Sequence, residues 1–217
     1  MKIDRYKSKK FEKAKRIVII LHGYGASGTD FLPLYNYMKT AIDDAVFLLP
    51  DAPHPCDQTA GFGGRQWFHL DEDMSYKNIR DGLDTSGKEL FENIVIMRES
   101  FEEYGDSIPF ENIAIMGFSQ GAMLAFEMIY YANFSHIIPY SGLFAVKPRP
   151  HDRTEYTNNK ILIVHGDDDV NVPYSNMKHA SKNLSEMGVY NEMYTCHNIG
   201  HSISEDGLKH GVQFILK

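Results

Sequence analysis

Five residues, Gly117-Phe118-Ser119-Gln120-Gly121, separate an apolar run, Ile113-Ala114-Ile115-Met116, from a second apolar stretch, Ala122 to Met128. The first run has the length of a buried strand, and the second has the length and spacing of a helix. A chain that passes from strand to helix at a single serine must turn sharply there, which forces that serine into a strained backbone conformation. Its neighbours two positions away on each side must be small, because strand and helix pass close together. The bare G-x-S-x-G pattern arises by chance in about one chain of this length in fifteen. Its strand–turn–helix setting is what makes Ser119 a candidate nucleophile. The N–H of Gln120 opens the helix, so it is a donor without an intrahelical acceptor at the positive end of the helix dipole, suited to an oxyanion.

Other strand-length apolar runs are Ile17–Leu21, Ala45–Leu49, Ile137–Tyr140 and Ile161–Val164, each closed by Gly or Pro. Continuous apolar runs suit strands covered on both faces, as in parallel sheets. Amphipathic stretches of helix length alternate with them: Phe31–Ala41, Asn78–Tyr104, Ser119–Tyr131, Tyr174–Met187 and Ser202–Leu216. Asn191–His197 reads as a last strand, and the opening Met1–Arg16 segment as a source of a short antiparallel strand. This alternation predicts an α/β fold with a mostly parallel central sheet and helices on both faces. A length of 217 residues suits one core and is short for two, so residues 1–217 are expected to form a single domain. Two irregular stretches, Pro50–Met74 and Phe144–Asn159, follow strands on the side where open α/β sheets bind ligands.

Several function classes fall away. No run of about eighteen apolar residues exists to insert in a membrane, and Met1–Lys7 lacks the apolar centre of an export signal. Cys56 and Cys196 lie far apart without metal spacing and are expected to be free thiols in a reducing cytoplasm. With a net charge of −7, the basic residues Lys9-Lys10, Lys13 and Lys15-Arg16 read as a solvated hairpin edge, not a nucleic-acid arm. Asp167-Asp168-Asp169 lacks the glycine and distal glutamate of a calcium loop, so no metal is expected there.

A serine hydroxyl needs a base to take its proton and an acid to orient that base. After a nucleophile of this kind the acid and then the histidine follow in chain order. Acid candidates lie directly after the strand Ile161–Val164, at Asp167, Asp168 and Asp169. Among ten histidines, His201 alone combines a preceding glycine, a strand-to-helix loop and a place near the chain end. His165 is expected to pack under the acid loop, His197 to lie within the last strand, and His179 and His210 to sit on helix surfaces. A second oxyanion donor is expected from the glycine-rich loop His22-Gly23-Tyr24-Gly25-Ala26-Ser27-Gly28, with the Tyr24 N–H best placed and His22 bracing the loop. That loop lacks the Lys-Ser/Thr end of a phosphate loop.

These residues resemble the phospholipase/carboxylesterase family of α/β-hydrolases, which includes acyl-protein thioesterases and bacterial carboxylesterases, over nearly the whole chain. The carrying motifs are Leu21-His22-Gly23-Tyr24-Gly25, Gly117-Phe118-Ser119-Gln120-Gly121, Tyr140-Ser141-Gly142, His165-Gly166 with Asp169 and Val172-Pro173, and Gly200-His201-Ser202-Ile203. The resemblance implies an α/β-hydrolase fold, the short irregular insertions argue against a large lid, and the family pattern singles out Asp169 as the acid, giving a triad of Ser119, Asp169 and His201. Proline commonly follows that acid in the family; here Val170 does. Gly64-Arg65-Gln66-Trp67-Phe68 is similar to a family segment lining the acyl site, with His69 where Asp is frequent. Trp67, Phe68, Leu70 and Met74 are therefore candidates for substrate contact, with core packing an equal reading for the Trp67-Phe68 pair. The expected activity is hydrolysis of carboxylic esters or thioesters of small or singly acylated substrates, without a cofactor, by a cytoplasmic monomer or weak homodimer. The alternatives are a long-chain acyl-protein thioesterase or lysophospholipase, and a non-catalytic binding protein that kept the fold.

Overall fold

The computed structural model describes residues 3–7, 14–56, 58–70, 74–99, 107–145 and 158–217. Its strands are β1 (Ile3–Lys7), β2 (Arg16–Leu21), β3 (Ala45–Pro50), β4 (His54–Pro55), β5 (Arg65–Gln66), β6 (Ile113–Phe118), β7 (His136–Tyr140), β8 (Lys160–Gly166) and β9 (Tyr190–Cys196). Its α-helices are α1 (Leu32–Met38), α2 (Tyr76–Glu99), α3 (Gln120–Glu127), α4 (Ser175–Glu186) and α5 (Glu205–Ile215). Seven strands form one sheet in the order β1-β3-β2-β6-β7-β8-β9. The six from β3 to β9 in that order are parallel, and β1 pairs antiparallel with β3, Ile3 opposite Pro50 and Lys7 opposite Val46.

Strand alternation divides the core into two layers. Ile17, Ile19 and Leu21 of β2 face Leu83, Leu90 and Ile94 of α2, Leu124 of α3 and, further along the sheet, Leu184 of α4. Val18 and Ile20 face the other way, into a layer with Met38 of α1 and Leu208 and Val212 of α5. Each fully buried aliphatic side chain of this kind contributes about 1.5–3 kcal/mol, and both faces being covered explains the unbroken apolar runs. The helix α3 is buried along its whole length. Its one charge, Glu127, meets Arg80 of α2 at 2.5 Å, and Arg80 also donates to the Ala145 carbonyl at 2.6 Å. Leaving either charge of such a buried pair without the other costs about 3–5 kcal/mol.

Several boundaries differ from the sequence expectation. The helix after Ser119 tightens to a 3-10 turn at Met128–Tyr130. Pro50–Met74 contains the small antiparallel pair β4–β5 and a 3-10 turn at Ala60–Phe62. β9 ends at Cys196, so His197 lies just beyond the strand and not within it. His179 is exposed, as expected; His210 is half-buried, stacked 3.6 Å from the Tyr194 ring. Lys9, Lys10, Lys13, the end of the helix anticipated to Tyr104 and most of the Phe144–Asn159 stretch lie outside the described residues. Among the described residues no helix is long and apolar enough to cross a membrane.

The registers bring the carboxyl ends of three strands together. Leu21 pairs with Gly117, and Phe118 with Tyr140, so the turn after β6 emerges between the ends of β2 and β7. A Cβ on Gly121 would stand 2.4 Å from the Leu21 carbonyl oxygen and 2.5 Å from that of His22. Gly121→Ala is therefore expected to push α3 off β2, lowering stability by about 1–3 kcal/mol. Urea unfolding measures this, and wild-type stability in the variant would refute the close approach.

Candidate active site

Ser119 sits at the junction of β6 and α3 with φ 53° and ψ −114°, a conformation that L-residues rarely adopt. Backbone hydrogen bonds hold it on both sides. Its N–H donates to the Tyr140 carbonyl at 3.0 Å, and its carbonyl accepts from the N–H groups of Ala122 and Met123 at 3.0 and 3.1 Å. Gly117 is required two residues earlier, where a Cβ would stand 2.2 Å from the Gly121 carbonyl oxygen.

The acid loop leaves the end of β8. Asp169 is 6% exposed, and its Oδ1 accepts from the N–H groups of Asn171 and Val172 at 3.0 and 2.9 Å. Its Oδ2 lies 2.8 Å from His201 Nδ1. On the other side of that ring, His201 Nε2 lies 2.9 Å from Ser119 Oγ. A carboxylate can only accept, so Nδ1 carries the hydrogen and Nε2 presents its lone pair to the serine hydroxyl. Phe118 flanks the imidazole, ring centres 4.8 Å apart. Burial acts to raise the Asp169 carboxyl; the hydrogen bonds from His201 and the Val172 N–H, with the nearby imidazoles, outweigh it and bring the group below the ordinary carboxylate range.

The neighbouring aspartates have other tasks. Asp167 takes His197 Nδ1 and the Asn198 N–H at 2.7 Å each, tying the acid loop to the histidine loop. Backbone bonds from Asp167 N–H to Cys196 O (3.1 Å) and from Asp168 N–H to Ile199 O (3.0 Å) complete that tie. Asp168 is exposed, and so is Val170, which follows the acid directly. His165 does lie beneath the loop, with Nε2 2.8 Å from the Val172 carbonyl.

Tyr24 and Gln120 lie at the same cleft as Ser119 and His201. His22, fully buried, braces the Tyr24 loop: Nδ1–H donates to the Gly23 carbonyl at 2.7 Å, and Nε2 accepts from the Ala52 N–H at 3.0 Å. Burial lowers its pKa, which keeps the neutral form that this pairing needs. Gly25 N–H donates to Arg65 O and Arg65 N–H to Ala26 O, both at 2.8 Å, fastening the loop to β5.

Trp67 and Phe68 do not line the cleft, which corrects their place among the substrate-contact candidates and leaves the core reading. They are 0% and 3% exposed and pack into the core layer under α2 and α3. The Gln120 carboxamide docks on their backbone, accepting from Trp67 N–H at 2.9 Å and donating to Phe68 O at 2.7 Å. The Trp67 indole N–H donates to the His22 carbonyl at 2.8 Å. The pair thus ties Ser119's neighbour to the Tyr24 loop from behind. Leu70 and Met74 do line the cleft, about 570 Å³ in volume, together with the apolar residues Met123 and Val172 and the polar residues Gln58 and Asn171. Met123 follows Ser119 by one helical turn and Val172 follows Asp169 by three residues, spacings that place both beside the site. Among the described residues no group of three His, Cys, Asp or Glu side chains is placed to hold a metal ion.

A family model described as phospholipase/carboxylesterase matches residues 7–217. The acyl-protein thioesterase 1 of Candida albicans is 29% identical, covering 93% of this chain and 91% of that protein. The carboxylesterase SOBER1 of Arabidopsis thaliana is 28% identical, covering 91% and 88%. Among solved structures, that of esterase PE8 superposes with a TM-score of 0.81 at 28% identity, covering 94% of this chain and 93% of the other.

Because the Asp169 carboxyl is lowered in the folded state, its ionised form stabilises the fold above the unfolded value near 4. That contribution is lost as pH falls from there through the lower folded value. In thermal unfolding followed from pH 7 to acid, Asp169→Asn should therefore lose less stability below about pH 4 than the wild type. Parallel curves for the two proteins would contradict the carboxylate geometry.

Proposed function

This chain belongs to the phospholipase/carboxylesterase family, and from that premise we propose that Ser119, His201 and Asp169 form a triad hydrolysing carboxylic esters or thioesters through an acyl-enzyme. The observation carrying this reading is the unbroken path of hydrogen bonds from Asp169 Oδ2 through His201 to Ser119 Oγ, 2.8 and 2.9 Å long. His201 Nε2 takes the hydroxyl proton as Oγ attacks the acyl carbonyl carbon. Asp169 holds Nδ1–H and stabilises the imidazolium that forms. The carbonyl oxygen, now an oxyanion, is received by the backbone N–H groups of Gln120 and Tyr24; one such donor is worth about 3–4 kcal/mol in the transition state. The imidazolium gives its proton to the leaving alkoxide or thiolate, and the acyl group stays on Oγ. Water, deprotonated by His201, then attacks the acyl-enzyme and releases the carboxylic acid and free serine.

The acyl chain lies against Leu70, Met74, Met123 and Val172, which fits small or singly acylated substrates. The names of the relatives, thioesterases and carboxylesterases, favour the same leaving groups. The enzyme works as one domain, a monomer or weak homodimer, in the cytoplasm; two free cysteines suit a reducing compartment. No nucleic acid or cofactor takes part.

Ser119→Ala should abolish hydrolysis of p-nitrophenyl esters and labelling by a fluorophosphonate, with the circular dichroism spectrum unchanged. Turnover surviving in that variant would sink the assignment. Met123→Phe should narrow the cleft. Across a series of p-nitrophenyl esters, kcat/KM for the longest accepted chain should fall about 10-fold or more while the acetyl ester changes little. A uniform loss at all chain lengths would place the acyl chain elsewhere.

A further inference from the structure

Asp169 Oδ2 faces a second imidazole besides His201. His165, on β8 and four residues before the acid, has Nε2 3.3 Å from that oxygen and 2.8 Å from the Val172 carbonyl. Both side chains of this contact are fully buried. Carboxylate and carbonyl are acceptors only, so His165 must carry its hydrogen on Nε2, where it bonds the Val172 carbonyl with Asp169 Oδ2 3.3 Å from the same nitrogen. Its Nδ1, left with a lone pair, has no hydrogen-bond partner among the described residues. An orphaned ring nitrogen in a buried site costs free energy.

We infer that His165 is a positioning residue, whose Nε2–H fixes the plane of the Asp169 carboxylate and so aims His201 at Ser119. The inference rests on the triad proposed above. The N–H groups of Asn171 and Val172 peg Oδ1 alone, which leaves the carboxylate free to rock about that oxygen. His201 cannot supply the missing restraint, because it is the group being positioned and its charge changes during turnover. His165 supplies it from the sheet. Val172 is held from both sides: its N–H goes to Asp169 and its carbonyl receives His165, while the residue itself lines the cleft. Tyr174 packs edge-on against the His165 ring at 6.1 Å, and its hydroxyl is fixed to Thr195 Oγ1 at 2.6 Å. Burial lowers the His165 pKa and keeps the ring neutral. A cation there would compete with the His201 imidazolium for the charge on Oδ2.

Three substitutions separate positioning from packing. His165→Gln carries an amide N–H near the Nε2 position, His165→Asn carries one near Nδ1, and His165→Leu carries none. Initial rates on a p-nitrophenyl ester, normalised to active sites titrated with a fluorophosphonate, give kcat and KM, and thermal unfolding establishes that each variant is folded. The Gln variant should keep kcat within about threefold. The Asn and Leu variants should lose about 10- to 100-fold in kcat with KM changed less than about threefold. A Gln variant as impaired as Leu, a folded Asn variant with wild-type kcat, or a loss confined to KM would overturn the inference. Ser119→Ala run alongside keeps the two readings apart: full loss there with an unaffected Asn variant sinks the positioning role alone, and retained turnover sinks the triad with it.

Discussion

The backbone at Ser119 is the constraint around which the molecule is arranged. A non-glycine residue at φ 53° and ψ −114° costs about 1–3 kcal/mol, and nothing local to the turn supplies that energy. It comes from the strands on either side of β6. Tyr140, the last residue of β7, accepts the Ser119 N–H, and α3 lies so close to the end of β2 that only glycine fits at Gly121. The helix can approach that closely because it is buried along its whole length and its one charge is met by Arg80. Core burial, backbone strain and exposure of the Ser119 hydroxyl are thus a single balance.

The partners of Ser119 are placed by the sheet more than by their own hydrogen bonds. β6 and β8 are separated by β7, two inter-strand steps of about 4.8 Å. A carboxylate and an imidazole in series span that gap. The loops after β8 and β9 are zipped to each other by backbone bonds at Asp167 and Asp168 and by the Asp167 contacts to His197 and Asn198. The separation of Asp169 from His201 is therefore set before their side chains meet.

Much of this could be read from the amino-acid sequence because its determinants are local. Unbroken apolar runs announced parallel strands; Gly117 and Gly121 announced the elbow; Gly200 before His201 marked, among ten histidines, the one that stands between Ser119 and Asp169. What escaped is what depends on contacts distant in the chain. Trp67-Phe68 reads equally from sequence as an aromatic pair facing ligand or as core. Nothing nearby reveals that Gln120, more than fifty residues on, docks against their backbone and turns them inward. The same blindness hid Gln58, Asn171 and Val172, whose place at the cleft follows from how the loops after different strands converge. His165 was placed correctly under the acid loop, yet its contact with Asp169 needed the turn of that loop to be seen.

Charge explains why so many neutral donors gather around one aspartate. Asp169 is an anion with a fully buried side chain, and burial alone would favour its protonation. Two backbone N–H groups and two imidazoles keep it ionised, so it enters the proposed reaction already desolvated and already oriented. When His201 takes the Ser119 proton, the new positive charge forms against a negative charge that is in place. The new negative charge forms at the start of α3, where the helix dipole and the Gln120 N–H point at it. Neither pole of the developing ion pair has to recruit solvent, and the reorganisation that such a charge separation costs in water has been met during folding. Hence, in the proposed reaction, the same four contacts that stabilise Asp169 in the resting protein would lower the barrier, and disturbing a neutral one, such as that of His165, should be felt in the rate before it is felt in the fold.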